Sequence, residues 1–415
     1  MNIFTVIFLF ALFISSSIQF WLAKRQADFV AFHRHEVPDA FKSKVKLDAH
    51  QKAADYTLAK VKLSDFDSAL GIIVLLLLTL GGGINSVFEY WSSSSLSPLV
   101  AGVAATATIF LLLTVIEIPT SLYQTFIIEE RFGFNKSSVT QFIKDQLMHL
   151  ALGSMIGLPL LASILWIMDN IGSTWWLWAW GIIMGFSLLM SWLYPTVIAP
   201  LFNKFTPMEE GTLKERISGL LLRCGFNSQG IFIMDGSKRS GHGNAYFTGL
   251  GNNKRIVFFD NLVNSLDDEE LEAVLAHELG HFKCKHVIKM LIATSVMSLI
   301  SLGILGWLID QDWFYTGLGV ALEQKSNATA LLLFMLVSSA FTFFMQPLSA
   351  YFQRKFEFEA DDFAANNAQA TKMISGLVKL YEENANTLTP DPLYSAFHYS
   401  HPPAAIRIAH LESKV

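Results

Sequence analysis

This sequence has little charge. Only 16% of its 415 residues are Asp, Glu, Lys or Arg, and the formal net charge is -5. It has no basic run of the kind that grips nucleic acid, so a nucleic-acid partner is not expected. Cysteine is nearly missing. Cys224 and Cys284 are the only two, and both fall in segments read below as cytoplasmic, which argues against a structural disulfide. No segment repeats another. Ser92-Ser93-Ser94-Ser95 is a short polar loop rather than a linker. The start of the chain lacks a basic leader and a clear small-x-small cleavage site, so its apolar stretch is expected to stay as a span rather than leave as a signal peptide.

Hydrophobic residues fill the place of charge. They make up 52% of the chain, and the mean hydropathy is +0.40. Apolar runs of about 20 residues are long enough to cross a bilayer. Seven recur, at roughly 3–23, 67–87, 99–122, 148–168, 175–199, 288–309 and 329–351. The fold class expected is mainly α, a polytopic membrane protein with a small α+β soluble part. Lys and Arg are uneven between the spans. The segment 24–66 is rich in them, from Lys24 and Arg25 to Lys60 and Lys62, whereas 88–98 and 169–174 have none. The segment 123–147 has Arg131, Lys136 and Lys144, 200–287 has many, 310–328 has only Lys325, and the tail has several. Positive charge stays inside. The N-terminus is therefore expected outside, with the loops 24–66 and 123–147, the segment 200–287 and the tail 352–415 in the cytoplasm. Four parts follow: 1–199 with five spans, the soluble insertion 200–287, two further spans in 288–351, and the tail. Asn327-Ala328-Thr329 is a formal glycosylation acceptor, but it abuts a span and carries little weight.

The most specific signal is His277-Glu278-Leu279-Gly280-His281. Residues i and i+4 share one face of a helix, so His277 and His281 can reach one metal ion. Catalytic zinc keeps three protein ligands and an open position for water. Glu278 beside that water suits a general base. Two surface histidines on a polar helix would give the same letters, but the context favours the metal. Asp267 to Glu270 form an acidic helix start, and Leu271, Val274 and Leu275 form an apolar stripe. Gly280 leaves room for another backbone. Cys284, three residues past His281, is a weaker ligand candidate. The chain therefore reads as a zinc-dependent peptidase with one Zn2+.

The insertion 200–287 reads as a helix at about 209–224 followed by strands at 230–234, 244–249 and 255–259. An extended peptide can add to the edge of such a sheet. The motif helix is expected to run straight on through Lys283, Lys285 and Lys289 into the sixth span, which places the metal near the membrane surface. For a third ligand the best source is the helical stretch Arg354 to Ala364. Glu357 and Asp361 share a face there, one for the metal and one for the free N–H of a ligating histidine. Spacing does not choose between Glu357 and Glu359. In the tail, a histidine or arginine from His398, His401 and Arg407 could support an oxyanion.

These pieces together resemble the CAAX prenyl protease type 1, Ste24-like branch of the M48 peptidases. The matching residues are Glu129 to Asn135, Ala199 to Phe202, Arg239 to Phe247, His277 to His286, Phe356 to Asp361 and His398 to Pro403. The resemblance implies that His277, His281 and Glu357 bind zinc, that Glu278 is the general base and then the proton donor, and that Asp361 supports a ligating histidine. It implies that Asn244, with Ala245 and Tyr246 on the same strand, holds the substrate backbone, and that His401 and Arg407 stabilise the oxyanion. It implies seven helices around a water-filled chamber, which would give the intramembrane acid Glu117 a wet surface to face. Substrates would be prenylated CAAX proteins or other membrane-associated chains, with the lipid bilayer as the other partner. The short loop between spans six and seven and the ending Glu412-Ser413-Lys414-Val415, with no dilysine signal, lean towards a bacterial cytoplasmic membrane. A eukaryotic source would imply the endoplasmic reticulum. Two rivals stand beside this reading: a site-2-type intramembrane protease, and a membrane chaperone or channel with a structural metal.

Overall fold

The structure is a computed structural model, and it describes residues 2–226, 230–248 and 255–415. In hydrocarbon every backbone polar group must be satisfied within its own segment, so apolar runs of this length become helices. Among the described residues, six helices are long and apolar enough to cross a membrane: Ile3–His33, Pro98–Phe132, Val139–Asn170, Gly172–Phe202, His286–Leu308 and Asn327–Asn367. The remaining expected span, 67–87, is a broken one. Helices Leu47–Leu78 and Gly83–Ser92 meet at a bend of 49°. The cause is local. Gly82 sits at φ 79°, and a side chain on Gly81 would press within 2.6 Å of the Leu77 carbonyl oxygen. Only glycine accepts both demands.

The helices outrun their apolar cores. The first is 31 residues long, about 46 Å at 1.5 Å per residue. The segment 24–66, expected as a loop, is mostly the polar ends of two helices, joined around 34–46 by turns and the short 3₁₀ helix Asp39–Phe41. Burial separates lipid-facing from central helices. Val287, Ile288, Ile292 and Val296 of His286–Leu308 are exposed. Ala330, Leu332 and Leu333 of Asn327–Thr342 are fully buried. A cavity of 580 Å³ lies between the first, second, third and last spans. Ser15, Gln19, Asp67, Glu117, Ser121 and Gln346 line part of it, so Glu117 faces polar company rather than bare lipid.

The soluble part has its own core, built from the small sheet and the helices around it. Strands β1 (Phe205–Pro207), β2 (Ile231–Met234), β3 (Ala245–Thr248) and β4 (Arg255–Phe259) lie in the order β1-β2-β4-β3. β1 is antiparallel to β2, with Phe205 opposite Met234. β2 is parallel to β4, with Ile231 opposite Ile256. β3 is antiparallel to β4, with Ala245 opposite Phe258, and forms an edge. Ile256, Val257 and Phe258 are buried in succession, the pattern of a strand covered on both faces. The expected strands lie where the pattern put them, except that Gly249 falls outside the described residues. β1 was not anticipated.

The motif helix, Asp268–Lys283, packs under this sheet and against helix Gln346–Asn367. Its start is a capping box: Asp267 accepts from the amides of Glu269 and Glu270, and the Glu270 carboxylate accepts from the amide of Asp267. Its end corrects the expectation of a straight run. Lys285 takes φ 59°, and a new helix begins at His286. The membrane and soluble parts are clamped together by Arg239, whose Nε and Nη2 donate to both oxygens of Asp145 at 2.7 and 2.9 Å.

Candidate metal centre

Two helices build the centre. His277 and His281 project from one face of the motif helix, with their Nε2 atoms 3.2 Å apart. Helix Gln346–Asn367 crosses behind them and presents Glu357. Its Oε1 is 3.2 Å from His281 Nε2, and its Oε2 is 3.5 Å from His277 Nε2. The crossing is tight because Gly280 has no side chain. A Cβ there would meet the Ala360 Cα at 2.9 Å. One donor atom from each of His277, His281 and Glu357 lies within 4.8 Å of the other two. Of the two acids that spacing left open, Glu357 is the one facing both imidazoles.

The donors fit a cation. Two imidazole nitrogens at 3.2 Å repel through their lone pairs unless something positive sits between them. Glu357 is only 4% exposed, and its Oε2 has no hydrogen bond of good geometry, although His401 Nδ1 is 2.7 Å away. A buried carboxylate oxygen without a donor is costly. Nitrogen and oxygen donors in this number suit zinc with one position left open.

The supporting residues fix the ligands. Asp361 is fully buried, and its Oδ1 is 2.9 Å from His277 Nδ1. That leaves Nε2 for the metal. Burial pulls the His277 imidazole down, but Asp361 and Glu357 outweigh it and hold its pKa up at about 9. Arg407, 5% exposed, forks onto Asp361 through Nε at 2.9 Å and Nη2 at 2.6 Å. Its Nη1 is 3.5 Å from Glu357 Oε2. The guanidinium thus braces both acids of the centre. His401 stands at the rim, with its side chain 61% exposed. Its loop is held by Arg354, whose Nη1 donates to the carbonyls of Ser395, Ala396 and Tyr399 at 3.2, 3.1 and 2.9 Å.

His286 is a residue whose part the sequence did not disclose. It is 2% exposed, its Nδ1 is 3.0 Å from His281 Nδ1, and its Nε2 is 2.9 Å from Glu359 Oε2. Its ring stacks on Phe356 at 4.3 Å. Cys284, His286 and Glu359 would form a second donor trio. Both His286 nitrogens are already engaged, however, so this trio supports His281 rather than holding an ion of its own. The break at Lys285 makes this possible, because it turns His286 back towards the motif helix.

Glu278 is half-buried, and among the described residues it makes no hydrogen bond or ion pair. Asn244 is exposed at the start of β3. Its carbonyl accepts from the Phe259 amide at 2.9 Å. Ala245 is buried and Tyr246 half-buried. β3 packs on the motif helix and keeps one edge unpaired within the sheet.

Known proteins resemble this chain over nearly its whole length. Residues 26–204 match the model described as CAAX prenyl protease N-terminal, five membrane helices, and residues 207–415 match the one described as peptidase family M48. The chain is 36% identical to a CAAX prenyl protease 1 homolog of Dictyostelium discoideum, over 92% of this chain and 90% of that one. It is 32% identical to CAAX prenyl protease 1 of Saccharomyces cerevisiae, over 91% and 88%. The crystal structure of S. mikatae Ste24p superposes with a TM-score of 0.92 at 30% identity, covering 98% of each chain. The convergent donors, the membrane helices and these matches lead to one assignment: the chain belongs to peptidase family M48, in the branch that carries the CAAX prenyl protease N-terminal membrane domain, and is an integral-membrane metalloprotease.

Proposed function

We propose that the protein is a zinc endopeptidase, with one zinc per chain held by His277, His281 and Glu357, that trims the C-termini of CAAX-type, prenylated proteins at the membrane surface. The observation that carries this is the convergence of three donor atoms within 4.8 Å, with Glu278 next to His277 in the chain. The names of the relatives support the substrate class. The Lys and Arg distribution supports a cytoplasmic face for the centre.

A zinc ion held by His277, His281 and Glu357 would supply Lewis acidity to the attacking water and the scissile carbonyl. Glu278 takes the proton from the attacking water and returns it to the leaving amine. Asn244 and the open edge of β3, with Ala245 and Tyr246, align the substrate backbone as an added strand. His401 donates to the carbonyl oxygen as negative charge grows there. Arg407 adds positive charge behind it while bracing Asp361, which keeps His277 in the tautomer with Nε2 free. The site-2-type rival needs the motif inside a span, and here the motif helix packs in the soluble core. A purely structural metal would need no glutamate beside it.

Glu278→Gln should retain stoichiometric zinc and lose about 10²- to 10⁴-fold in peptide turnover. Zinc by atomic absorption and cleavage of a quenched farnesylated peptide are the two readouts. Turnover close to wild type in the zinc-loaded variant would refute the mechanism.

A further inference from the structure

A second cavity, of 400 Å³, adjoins the metal centre. His401 and Tyr381 form the wall it shares with the centre, and Lys60, Gln26, His398 and Tyr399 line the remainder with their neighbours. His401 is the link, because its Nδ1 lies 2.7 Å from Glu357 Oε2. Whatever occupies this cavity is next to the bond being cut.

The lining is cationic and donor-rich, and it contains no Asp or Glu. Lys60 is half-buried, and among the described residues it forms no hydrogen bond and no ion pair. Its Nζ rests 4.0 Å over the ring of Tyr56. The neighbouring acid, Glu129, is already engaged. Tyr56 Oη and Gln124 Nε2 donate to its Oε1 at 2.6 and 2.7 Å, and His242 Nε2 is 3.4 Å from its Oε2. His398 Nε2 is likewise buried without a hydrogen-bond partner. A part-buried ammonium and a partnerless buried imidazole nitrogen in one pocket both cost free energy unless an anion completes them.

We propose that this pocket receives the C-terminal carboxylate of the substrate and that Lys60 is its anchor. The inference rests on the proteolytic reading above, C-terminal trimming included, and adds to it the pocket and the side chain that hold the substrate's chain end. The chain end is held beyond His401, on the far side of that residue from Glu357. Each extended residue spans at most about 3.3–3.6 Å, so a tripeptide reaches roughly 10 Å from the scissile bond, a scale that suits a pocket of this size. A carboxylate meets an ammonium and neutral donors with no opposing acid in the lining.

The test uses the full zinc-loaded chain and two peptides of one sequence, one ending in a free carboxylate and one in an amide. The wild-type protein is expected to favour the acid by about 10- to 100-fold in kcat/KM, expressed mainly in KM. Lys60→Met should bring that ratio close to one, and Lys60→Arg should restore part of it. A wild-type ratio of one, or a Lys60→Met protein that keeps the full preference, overturns the proposal. So does equal inhibition of acid and amide cleavage by vesicles of anionic lipid with no acid preference, which would assign the pocket to a headgroup. None of these outcomes touches the proteolytic reading, which fails only if zinc-loaded Glu278→Gln still cuts.

Discussion

At the residue scale, the centre depends on side chains that touch no substrate. His281 is oriented through His286 and Glu359, a chain of contacts at 3.0 and 2.9 Å. Removing a partner of this kind costs about 10- to 100-fold in metal affinity. His286→Ala should therefore lose zinc to a competing chelator at 10- to 100-fold lower chelator activity, while Glu359→Gln, which keeps an acceptor, should fall between it and wild type. Equal zinc affinity in all three proteins would remove His286 from the site. Protons compete for the same nitrogens. The pKa of His277 is raised from 6.5 to about 9, so the metal-free fold gains from the protonated ring, fully below about 6.5, and loses that gain as pH rises through about 9. Zinc needs the ring neutral. Its apparent affinity should fall by up to about tenfold for each pH unit below 9, measured by chelator competition. The histidines, Glu278 and the candidate acids were legible because their i and i+4 spacing is a helical signature. His286 was not, since it follows a break that no Gly or Pro announces.

At the element scale, the motif helix is set by its start and its crossing. The Asp267 cap holds two amides, and losing such a cap costs about 1 kcal/mol. Asp267→Ala should lower the detergent-solubilised protein's melting temperature and speed zinc loss, whereas Asp267→Asn, which still accepts but loses the charge facing Lys372, should fall between it and wild type. The amide of Glu270, with Lys372 close by, holds the Asp267 carboxyl below its ordinary range. A folded-state pKa lowered in this way stabilises at neutral pH and is lost only on acidification below that range. Most helices were legible from apolar runs, because lipid leaves the backbone no alternative. The breaks were not. The 49° bend rests on two glycines that could equally have been tolerated in a straight span, and Lys285 adopts a left-handed turn that its side chain does not favour. β1 is three residues long, too short to show a period, and exists because β2 offers it a partner.

At the scale of the whole molecule, the donors come from two different parts of the chain. His277 and His281 stand in the soluble core, whereas Glu357 stands beyond the apolar part of the last span, on a helix system running from Asn327 to Asn367. A metal held by all three therefore ties the soluble core to the membrane bundle, alongside the Arg239–Asp145 clamp. A ligand that binds only the folded chain stabilises it by about 2.7 kcal/mol at a concentration 100 times its Kd. For a chain this size that corresponds to a shift of about 3 °C. Chelation should lower the melting temperature by that order, and zinc should restore it. Glu357→Gln should narrow the gap between the two states, because the core would keep its two imidazoles but lose the link to the span. If chelation moved the melting point of Glu357→Gln as far as that of the wild-type protein, the metal would be bound within the soluble core alone. The last span would then have no part in holding it.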